Sequence, residues 1–472
     1  MNAKFIAMCI LFLLLGAAVM EAYHLYGVGW DFVAHYMAGK AMLAPGFFSS
    51  VKNAVATGGT YLDFGIVQTK NIYFESYRAP LSIITLAGLY LLAGRLAIPA
   101  YLAIMVVFLF FATVYFSKGF KINYLLVGSL LVLPYLVVFP FMINSEEMLS
   151  LIMMIAALPL LYRGKWQAGI FIGLAGLSKY TALIFLPLLL LVGGKKKILY
   201  SFIAFVVITL PWLAFNYAAF GNPLYSYLSS VVVNEESSMP SAISLVALEG
   251  IVAGFIPAIM LLLIMYYRHP RGSIAKIHRA FKAVTGAGHR MPLILASFFL
   301  LALLEFVVLG THESVFDQAR YGYFLFASIA FLLSWLIERK LRQRSLSRYR
   351  TAAIATLSAF SAASMIAVIA LMGSSLIAFS PGSNNSVFPS AVNAVKGLNL
   401  SNCSFVSNDW VYLRYYGVTA FSPYGYNATT SGYPAIVFYG IGTNPGAVKT
   451  YSTNIMHQYS DFSIYASRNY SC

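Results

Sequence analysis

The chain has 472 residues, of which 60% are hydrophobic and only 10% are charged, and its net charge is +16. This composition excludes a soluble globular protein, and it predicts a polytopic membrane protein whose spans are α-helices. The basic excess indicates short cytoplasmic loops rather than a nucleic-acid site, because no aromatic and basic RNA- or DNA-binding motif occurs.

The first apolar run, from Phe5 to Met20, follows Lys4 and has no small-residue cleavage site after it, so we expect a retained anchor helix. Apolar segments of spanning length then recur along the chain. The sequence predicts eleven spans, at residues 5–20, 98–117, 123–141, 148–162, 167–178, 180–192, 199–219, 246–266, 292–310, 321–337 and 351–379. The predicted fold is therefore an all-α polytopic membrane domain over residues 1–379.

Residues 21–97 form a long loop between the first two predicted spans. Its apolar stretch "PLSIITLAGLYLLA", residues 80–93, has 14 residues, whereas a spanning helix needs about 20. We expect an interfacial helix with Pro80 in its first turn. The alternative inverts the first helix, lets residues 80–93 span, and makes the loop cytoplasmic; its nearly balanced charge does not decide between the two.

The stretch "WQAGIFIGLAGLSKYTALIFLPLLLLV" is flanked by the basic clusters "RGK" and "KKK". A single crossing would put one of these clusters outside. Two short helices that turn near Lys179 keep both clusters inside, in agreement with the positive-inside rule.

Charge also predicts the orientation of the whole chain. Six segments contain 20 of the 31 Lys and Arg residues: Lys4, "KGFK", "RGK", "KKK", residues 268–290 and residues 338–350. We therefore expect a cytoplasmic amino terminus and an extracytoplasmic carboxyl terminus, in the plasma membrane of a prokaryote. All N-x-S/T sequons follow residue 380, at Asn384, Asn399, Asn402, Asn427 and Asn469.

After residue 380 the composition changes to Asn, Ser, Tyr and Gly, with strand-like segments such as "AIVFYG" between turn residues. Residues 380–472 are predicted to form a small extracytoplasmic α/β domain. An oxidising compartment could pair Cys403 with Cys472.

Charged residues in the predicted outer loops are the candidates for chemistry, because charge beside hydrocarbon persists where it is paired or functional. A carboxylate can take the proton from an acceptor hydroxyl, while Lys or Arg stabilises a departing phosphate at headgroup depth. The outer set comprises Asp31, His35, Lys40, Asp63, Glu75, Arg78, Glu146, Glu147, Lys179, Glu235, Glu236, Asp317 and Arg320.

Six segments, in this order, resemble the GT-C superfamily of integral-membrane glycosyltransferases: "WDFVAHYMAGKAML", "YFESYRAPLSIITLAGLYLL", "NSEEMLSLIMM", "GIFIGLAGLSKYTALIFLPLLLL", "FGNPLYSY" and "DQARYGYFLFASIAFLL". Members of that family have a long first outer loop, an Asp just after the first helix, and polyprenyl-phosphate-linked donors at the outer face. The chain has one proline in "YRAPL" where many members have two. It also lacks the W-W-D-Y-G signature of oligosaccharyltransferases, which disfavours en bloc glycan transfer.

The resemblance implies a role for each candidate residue. Asp31 would be the general base or would orient the acceptor; the alternative is that Asp31 only caps the helix that follows it. Acceptor binding would fall to His35, Glu75, Glu146 and Glu147, and donor-phosphate binding to Arg78, Lys179 and Arg320. Each role has a simpler alternative. Glu75 and Arg78 could be a pair of solvated interfacial charges, and Glu146 and Glu147 could only complement a helix dipole. Lys179 and Arg320 could be snorkelling cations.

The expected function is transfer of a monosaccharide from a dolichyl or undecaprenyl phosphate to a lipid-linked glycan, glycolipid or protein, with inversion. A transporter or flippase of lipid-linked saccharides is the alternative, although the sequence shows no internal repeat. A divalent cation such as Mg²⁺ or Mn²⁺ is compatible with the resemblance but is not required by the sequence. "HESVF" lacks the second His of a zinc motif.

Overall fold

A computed structural model describes residues 3–56, 60–61, 66–68, 73–132, 138–237, 255–268, 290–310, 322–343, 346–373, 383–384, 387–400, 403–407, 409–421, 435–439, 454–458 and 463–466. The helices are α1 Ala3–Tyr26, α2 Trp30–Met42, α3 Phe47–Ala56, α4 Pro80–Ala93, α5 Ala97–Phe120, α6 Tyr124–Val132, α7 Val138–Ile143, α8 Ser145–Tyr162, α9 Ala168–Ser178, α10 Lys195–Phe220, α11 Tyr225–Ser237, α12 Ile256–Arg268, α13 Arg290–Gly310, α14 Tyr323–Leu341, α15 Arg350–Gly373, α16 Val387–Gly397 and α17 Trp410–Tyr415. Short 3₁₀ segments cover Gly94–Leu96 and Ser347–Tyr349, and a long one covers Tyr180–Val192.

Two small sheets accompany the helices. β1 Thr60–Tyr61, β2 Ile66–Gln68 and β3 Tyr73–Glu75 form an antiparallel sheet in the loop after α2. The second sheet has the order β5-β4-β6-β8-β7, with β4 Ser404–Val406, β5 Ala420–Phe421, β6 Ala435–Tyr439, β7 Asn454–Gln458 and β8 Ser463–Ala466.

Each predicted span contains a helix in the described part of the chain. Among the described residues, six helical segments are long and apolar enough to cross a bilayer: Ala3–Tyr26, Pro80–Phe120, Ser145–Tyr162, Lys195–Phe220, Arg290–Leu309 and Ser347–Met372. The predominantly helical membrane fold is therefore confirmed, and the number of eleven crossings stays a prediction.

Two opposite ends of the helical part of the structure can be distinguished from the contacts of α5 and α8, and they are about a bilayer thickness apart. α5 and α8 run in parallel: the hydroxyl of Tyr101 donates to the carbonyl of Ser145 near their starts, and Phe120 stacks on Tyr162 near their ends. The 18 residues of α8 are about 27 Å long at 1.5 Å per residue, close to the thickness of the hydrocarbon core. We call the end with Tyr101 and Ser145 the site end, and the end with Phe120 and Tyr162 the basic end.

The loops that we predict to be cytoplasmic meet at the basic end. Arg342 donates to the carbonyl of Lys121, directly after α5, and Glu338 pairs with Arg342 and Arg350. The carboxyl-terminal residues contact the opposite end: Trp410 packs edge-on against Trp30, with ring centroids 5.0 Å apart. The basic loops and the tail therefore lie at opposite ends of the described helices.

Helix α4 begins and ends near the site end. Arg78, two residues before it, bonds Asp31, and Tyr101 of the following helix packs on Phe32 with ring centroids 5.5 Å apart. A spanning α4 would put Arg78 and Tyr101 on opposite sides of the bilayer. The geometry thus favours the interfacial helix over the inverted topology, and Pro80 occupies the first turn of α4 as predicted.

The chain turns at Lys179, whose extended backbone separates α9 from the 3₁₀ helix. A Cβ on Gly164 would lie 3.0 Å from the carbonyl oxygen of Val192. The residues just before α9 and the last residue of the 3₁₀ helix therefore meet at the basic end. The 13 residues of the 3₁₀ helix extend about 26 Å at 2.0 Å per residue. A segment that is short by residue count therefore has nearly the reach of a full span.

Residues 383–466 contribute two helices and the mixed five-stranded sheet, in the described part of the tail. Ser383 donates its amide to the carbonyl of Val28 at 2.8 Å, which ties the tail to the loop after α1. Cys403 is disulfide-bonded and Cys9 is a free thiol. Cys472 lies outside the described residues, so its pairing with Cys403, like the domain boundary at residue 380, stays a prediction.

Candidate active site

Asp31 forms an ion pair with Arg78 at the site end. Asp31 lies in the first turn of α2, and its Oδ1 accepts from Nη2 of Arg78 at 2.5 Å. The cap residue of α2 is Gly29, so the alternative in which Asp31 caps this helix is wrong. Trp30 and Tyr77 place their rings 5.9 and 4.8 Å from the guanidinium of Arg78.

Glu75 holds the other side of the same guanidinium. Its Oε2 accepts from Nε of Arg78 at 2.7 Å, and its Oε1 accepts from the hydroxyl of Tyr73. Tyr73 and Glu75 point to the same side of β3 because they are two residues apart on a strand. Glu75 is fully buried, and its two oxygens bond Tyr73 and Arg78.

Electrostatics keep Arg78 charged and Tyr73 protonated. Burial lowers the pKa of Arg78, but Asp31 and Glu75 outweigh it and raise that pKa well above its ordinary value. Burial, reinforced by Glu75, raises the pKa of Tyr73 well above the ordinary range of a phenol. Arg78 is therefore a permanent cation within this group.

A second pair joins α2 to α8. Nε2 of His35 lies 2.9 Å from Oε1 of Glu146, and Nδ1 of His35 lies 2.8 Å from Oγ of Ser145. Glu146 sits in the first turn of α8 because Asn144 caps that helix: its Oδ1 accepts from the amide of Glu146 at 3.1 Å. His35 and Glu146 are both buried.

A third pair joins α8 to the turn after α9. Nζ of Lys179 donates to Oε1 of Glu147 at 2.9 Å, and both side chains are buried. The next residue, Tyr180, donates its hydroxyl to the carbonyl of Arg78 at 3.1 Å and accepts from Nε1 of Trp212 at 2.8 Å. This bridge connects the third pair to the first.

The structure thus brings seven of the predicted site residues into one group at the site end, which we call the acid–cation cluster: Asp31, His35, Glu75, Arg78, Glu146, Glu147 and Lys179. Arg320, Asp63 and Asp317 lie outside the described residues, as do the side chains of Glu235 and Glu236. Nζ of Lys40 lies over the ring of Tyr90, 5.8 Å from its centroid, and Lys40 is not a member of the three pairs.

Several residues of the site were missed at the sequence level. Tyr73 could have been found from its spacing to Glu75 on a strand, and Asn144 from its place before the acidic start of an apolar helix. Ser145, Tyr180 and Trp212 carry no local signal, since their partners are distant in sequence. In the described part of the chain, no three His, Cys, Asp or Glu side chains are arranged to hold a metal ion.

No protein-family model matches the sequence, and no curated protein matches it either. Solved structures do. ArnT from Cupriavidus metallidurans bound to undecaprenyl phosphate aligns over 98% of both chains, with a TM-score of 0.62 and 12% identity. ArnT from the same organism in the apo state aligns over 98% of this chain and 96% of that one, with a TM-score of 0.56 and 13% identity. The chain therefore has the ArnT fold, which confirms the GT-C resemblance at the level of the fold.

Proposed function

We propose that this chain is a membrane glycosyltransferase that transfers a monosaccharide from a polyprenyl-phosphate-linked donor to an acceptor hydroxyl. The observation that carries the proposal is the acid–cation cluster, which lies at the end of the helices opposite to the basic loops and in which Asp31 and Arg78 are partly exposed. By the positive-inside rule this end faces away from the cytoplasm. The ArnT structure that shares the fold holds undecaprenyl phosphate, which supports a donor of the same lipid class here.

In the proposed reaction, Asp31 takes the proton of the acceptor hydroxyl while the acceptor oxygen bonds to the anomeric carbon. The bond between that carbon and the phosphate oxygen breaks, and polyprenyl phosphate leaves with the electron pair. Direct displacement inverts the anomeric centre, by the logic that separates one-step from two-step glycoside chemistry.

Arg78 suits the departing phosphate because it is held rigidly and still has donors to offer. Two of its N–H groups bond Glu75 and Asp31, whereas a guanidinium carries five. Lys179 would add a second positive charge, with Glu147 fixing its position. Arg320 keeps its proposed role in phosphate binding from the sequence resemblance alone.

The acceptor side of the proposal falls to the second pair. Glu146 keeps its proposed role as an acceptor ligand; its Oε1 lies 2.9 Å from Nε2 of His35, and the Asn144 cap holds its backbone at the start of α8. Glu75 and Glu147 would act as positioning residues for the two cations, since both are fully buried. This division of roles refines the expectation that all of these side chains contact the acceptor.

The test is transfer of radiolabel from a polyprenyl-phosphate sugar to membrane acceptors in proteoliposomes. Asp31→Asn should lower the rate by about 10²- to 10⁴-fold, the usual contribution of a positioned general base. Glu21→Gln is the matched control, because it removes the same charge from α1 and should leave the rate within about twofold, as surface changes usually do. Equal rates in both variants would contradict the role of Asp31.

The same assay separates the enzyme from a flippase. A flippase would move the labelled donor across the bilayer with the sugar still on its phosphate. Recovery of label only as intact donor, at the same amount in wild type and in Asp31→Asn, would overturn the proposed transferase.

A further inference from the structure

A groove of about 620 Å³ opens on the outer surface of α5, α8 and α9, near the basic end. Most of its lining is apolar, and it includes Phe108, Phe111 and Phe171. Phe108 and Phe111 are 46% and 61% exposed, on a helix apolar enough to cross a bilayer. Aromatic side chains so exposed on a spanning helix face lipid, so the groove opens to the bilayer.

Two cations lie at one end of the groove, Arg163 and Lys165. Both are exposed, and neither forms an ion pair within the described residues. The guanidinium of Arg163 instead stands over the ring of Tyr115, 5.6 Å from its centroid. Arg342 and Arg350 at the same end of the helices do pair, with Glu338. The cationic end of the groove is therefore complementary to an anion.

A polar side chain lies beside the two cations. Gln167 lines the groove beside Lys165, and its side-chain oxygen is buried without a hydrogen-bond partner among the described residues. A buried acceptor without a donor costs free energy. A ligand that offers a hydroxyl next to its negative charge would satisfy this atom.

The groove has the length of one leaflet. It runs along α8 from Ile152 to Leu160, about 12 Å at 1.5 Å per residue, and half of the hydrocarbon core is about 15 Å thick. Leu160 is the lining residue nearest to Arg163 on that helix. An acyl chain can lie along the apolar lining while its headgroup stays at the level of the two cations.

We propose that this groove binds one anionic glycerophospholipid from the leaflet at the basic end, with its phosphate between Arg163 and Lys165. The headgroup hydroxyl of such a lipid would donate to Gln167, and one acyl chain would pack on Phe108 and Phe111. The site lies at the opposite end of α8 from the acid–cation cluster, so it does not depend on the proposed glycosyl transfer.

The test uses the full chain purified in detergent micelles, with phosphatidylglycerol as the probe and lipid retention counted by native mass spectrometry. Arg163→Gln combined with Lys165→Gln should weaken binding about thirtyfold, since each cation near an anionic lipid is worth a factor of about five. Lys195→Gln combined with Lys196→Gln removes the same charge from exposed residues at the same end that do not line the groove. This control should bind as wild type does.

A second variant tests the groove without changing charge. Ala156 lines it and is half-buried, so Ala156→Phe should fill it and also abolish retention of phosphatidylglycerol. Equal retention in the groove and control variants would overturn the proposal. So would equal retention of phosphatidylcholine, loss of polyprenyl phosphate retention in the groove variants, or a change of oligomeric state in these variants, since each assigns the groove to another occupant.

Discussion

Lys179→Met should destabilise the protein strongly, because it leaves Glu147 as a buried carboxylate without its cation. Nζ of Lys179 lies 2.9 Å from Oε1 of Glu147; Lys179 is 4% exposed and Glu147 is fully buried. Breaking a buried pair by removing one partner costs about 3–5 kcal/mol. Glu147→Leu should cost a similar amount, since it removes the carboxylate that the buried ammonium group of Lys179 donates to.

The double variant should recover much of this loss. Replacing both members of a buried ion pair by apolar residues of similar volume is often close to neutral. The free energy of unfolding of Lys179→Met combined with Glu147→Leu should therefore equal that of wild type or exceed it by up to about 1–4 kcal/mol, the range that this replacement often gives. The coupling between the two substitutions is then several kcal/mol, as expected for residues in direct contact.

The assay is unfolding of the purified chain in detergent micelles, with the free energy of unfolding measured for wild type, both single variants and the double variant. Arg342→Gln is the control: Arg342 is 52% exposed and Glu338 keeps Arg350, so the cost should be about 0–1 kcal/mol. The buried ion pair would be refuted if the single variants lost no more free energy of unfolding than this control. It would also be refuted if the loss in the double variant equalled the sum of the losses in the two single variants. The recovered double variant should still transfer sugar slowly, because the proposed phosphate ligand is gone.

Three further predictions concern packing, positioning and orientation. Gly39→Ala should lower the free energy of unfolding by about 1–3 kcal/mol in the same assay, because its Cβ would lie 2.9 Å from the carbonyl of Ile83. Gly88→Ala is the control: it lies in open space on α4 and should raise the free energy of unfolding by up to about 1 kcal/mol. Tyr73→Phe removes a donor to Glu75 and should lower kcat more than it raises KM, whereas a change confined to KM would contradict a positioning role. A thiol introduced by Lys165→Cys should react with an impermeant reagent only from the cytoplasmic side, and labelling of intact cells would reverse the proposed orientation.

Much of the helical framework is predictable from the sequence, because apolar run length and flanking charge are local signals. Pro80–Ala93 was predicted with these same bounds and is a helix. Residues 180–192 were also predicted with the observed bounds, but they form a 3₁₀ helix. Hydrophobicity alone cannot distinguish the two helix types in a segment that is apolar on every side, and only the 3₁₀ geometry explains its reach.

The members of the site were predictable and their partners were not. Placing the acids and cations in loops on one side of the membrane follows from charge patterning, and seven of those residues share one cluster. The pairing of Asp31 with Arg78 joins residues 47 apart, and that of Lys179 with Glu147 joins residues 32 apart. Only the packing of α2 and α8 with the loops that carry the cations selects these pairs. Short-range spacing contains no such information.

The central claim is that the acid–cation cluster receives the donor phosphate beside a carboxylate that takes the acceptor proton. The most direct measurement is an experimental structure of the full chain with a bound polyprenyl phosphate. We expect phosphate oxygens within about 3 Å of Arg78 or Lys179, the length of a charge-assisted hydrogen bond, with Asp31 facing the same cavity. A phosphate bound at the basic end, with the cluster unchanged and away from the lipid, would contradict it.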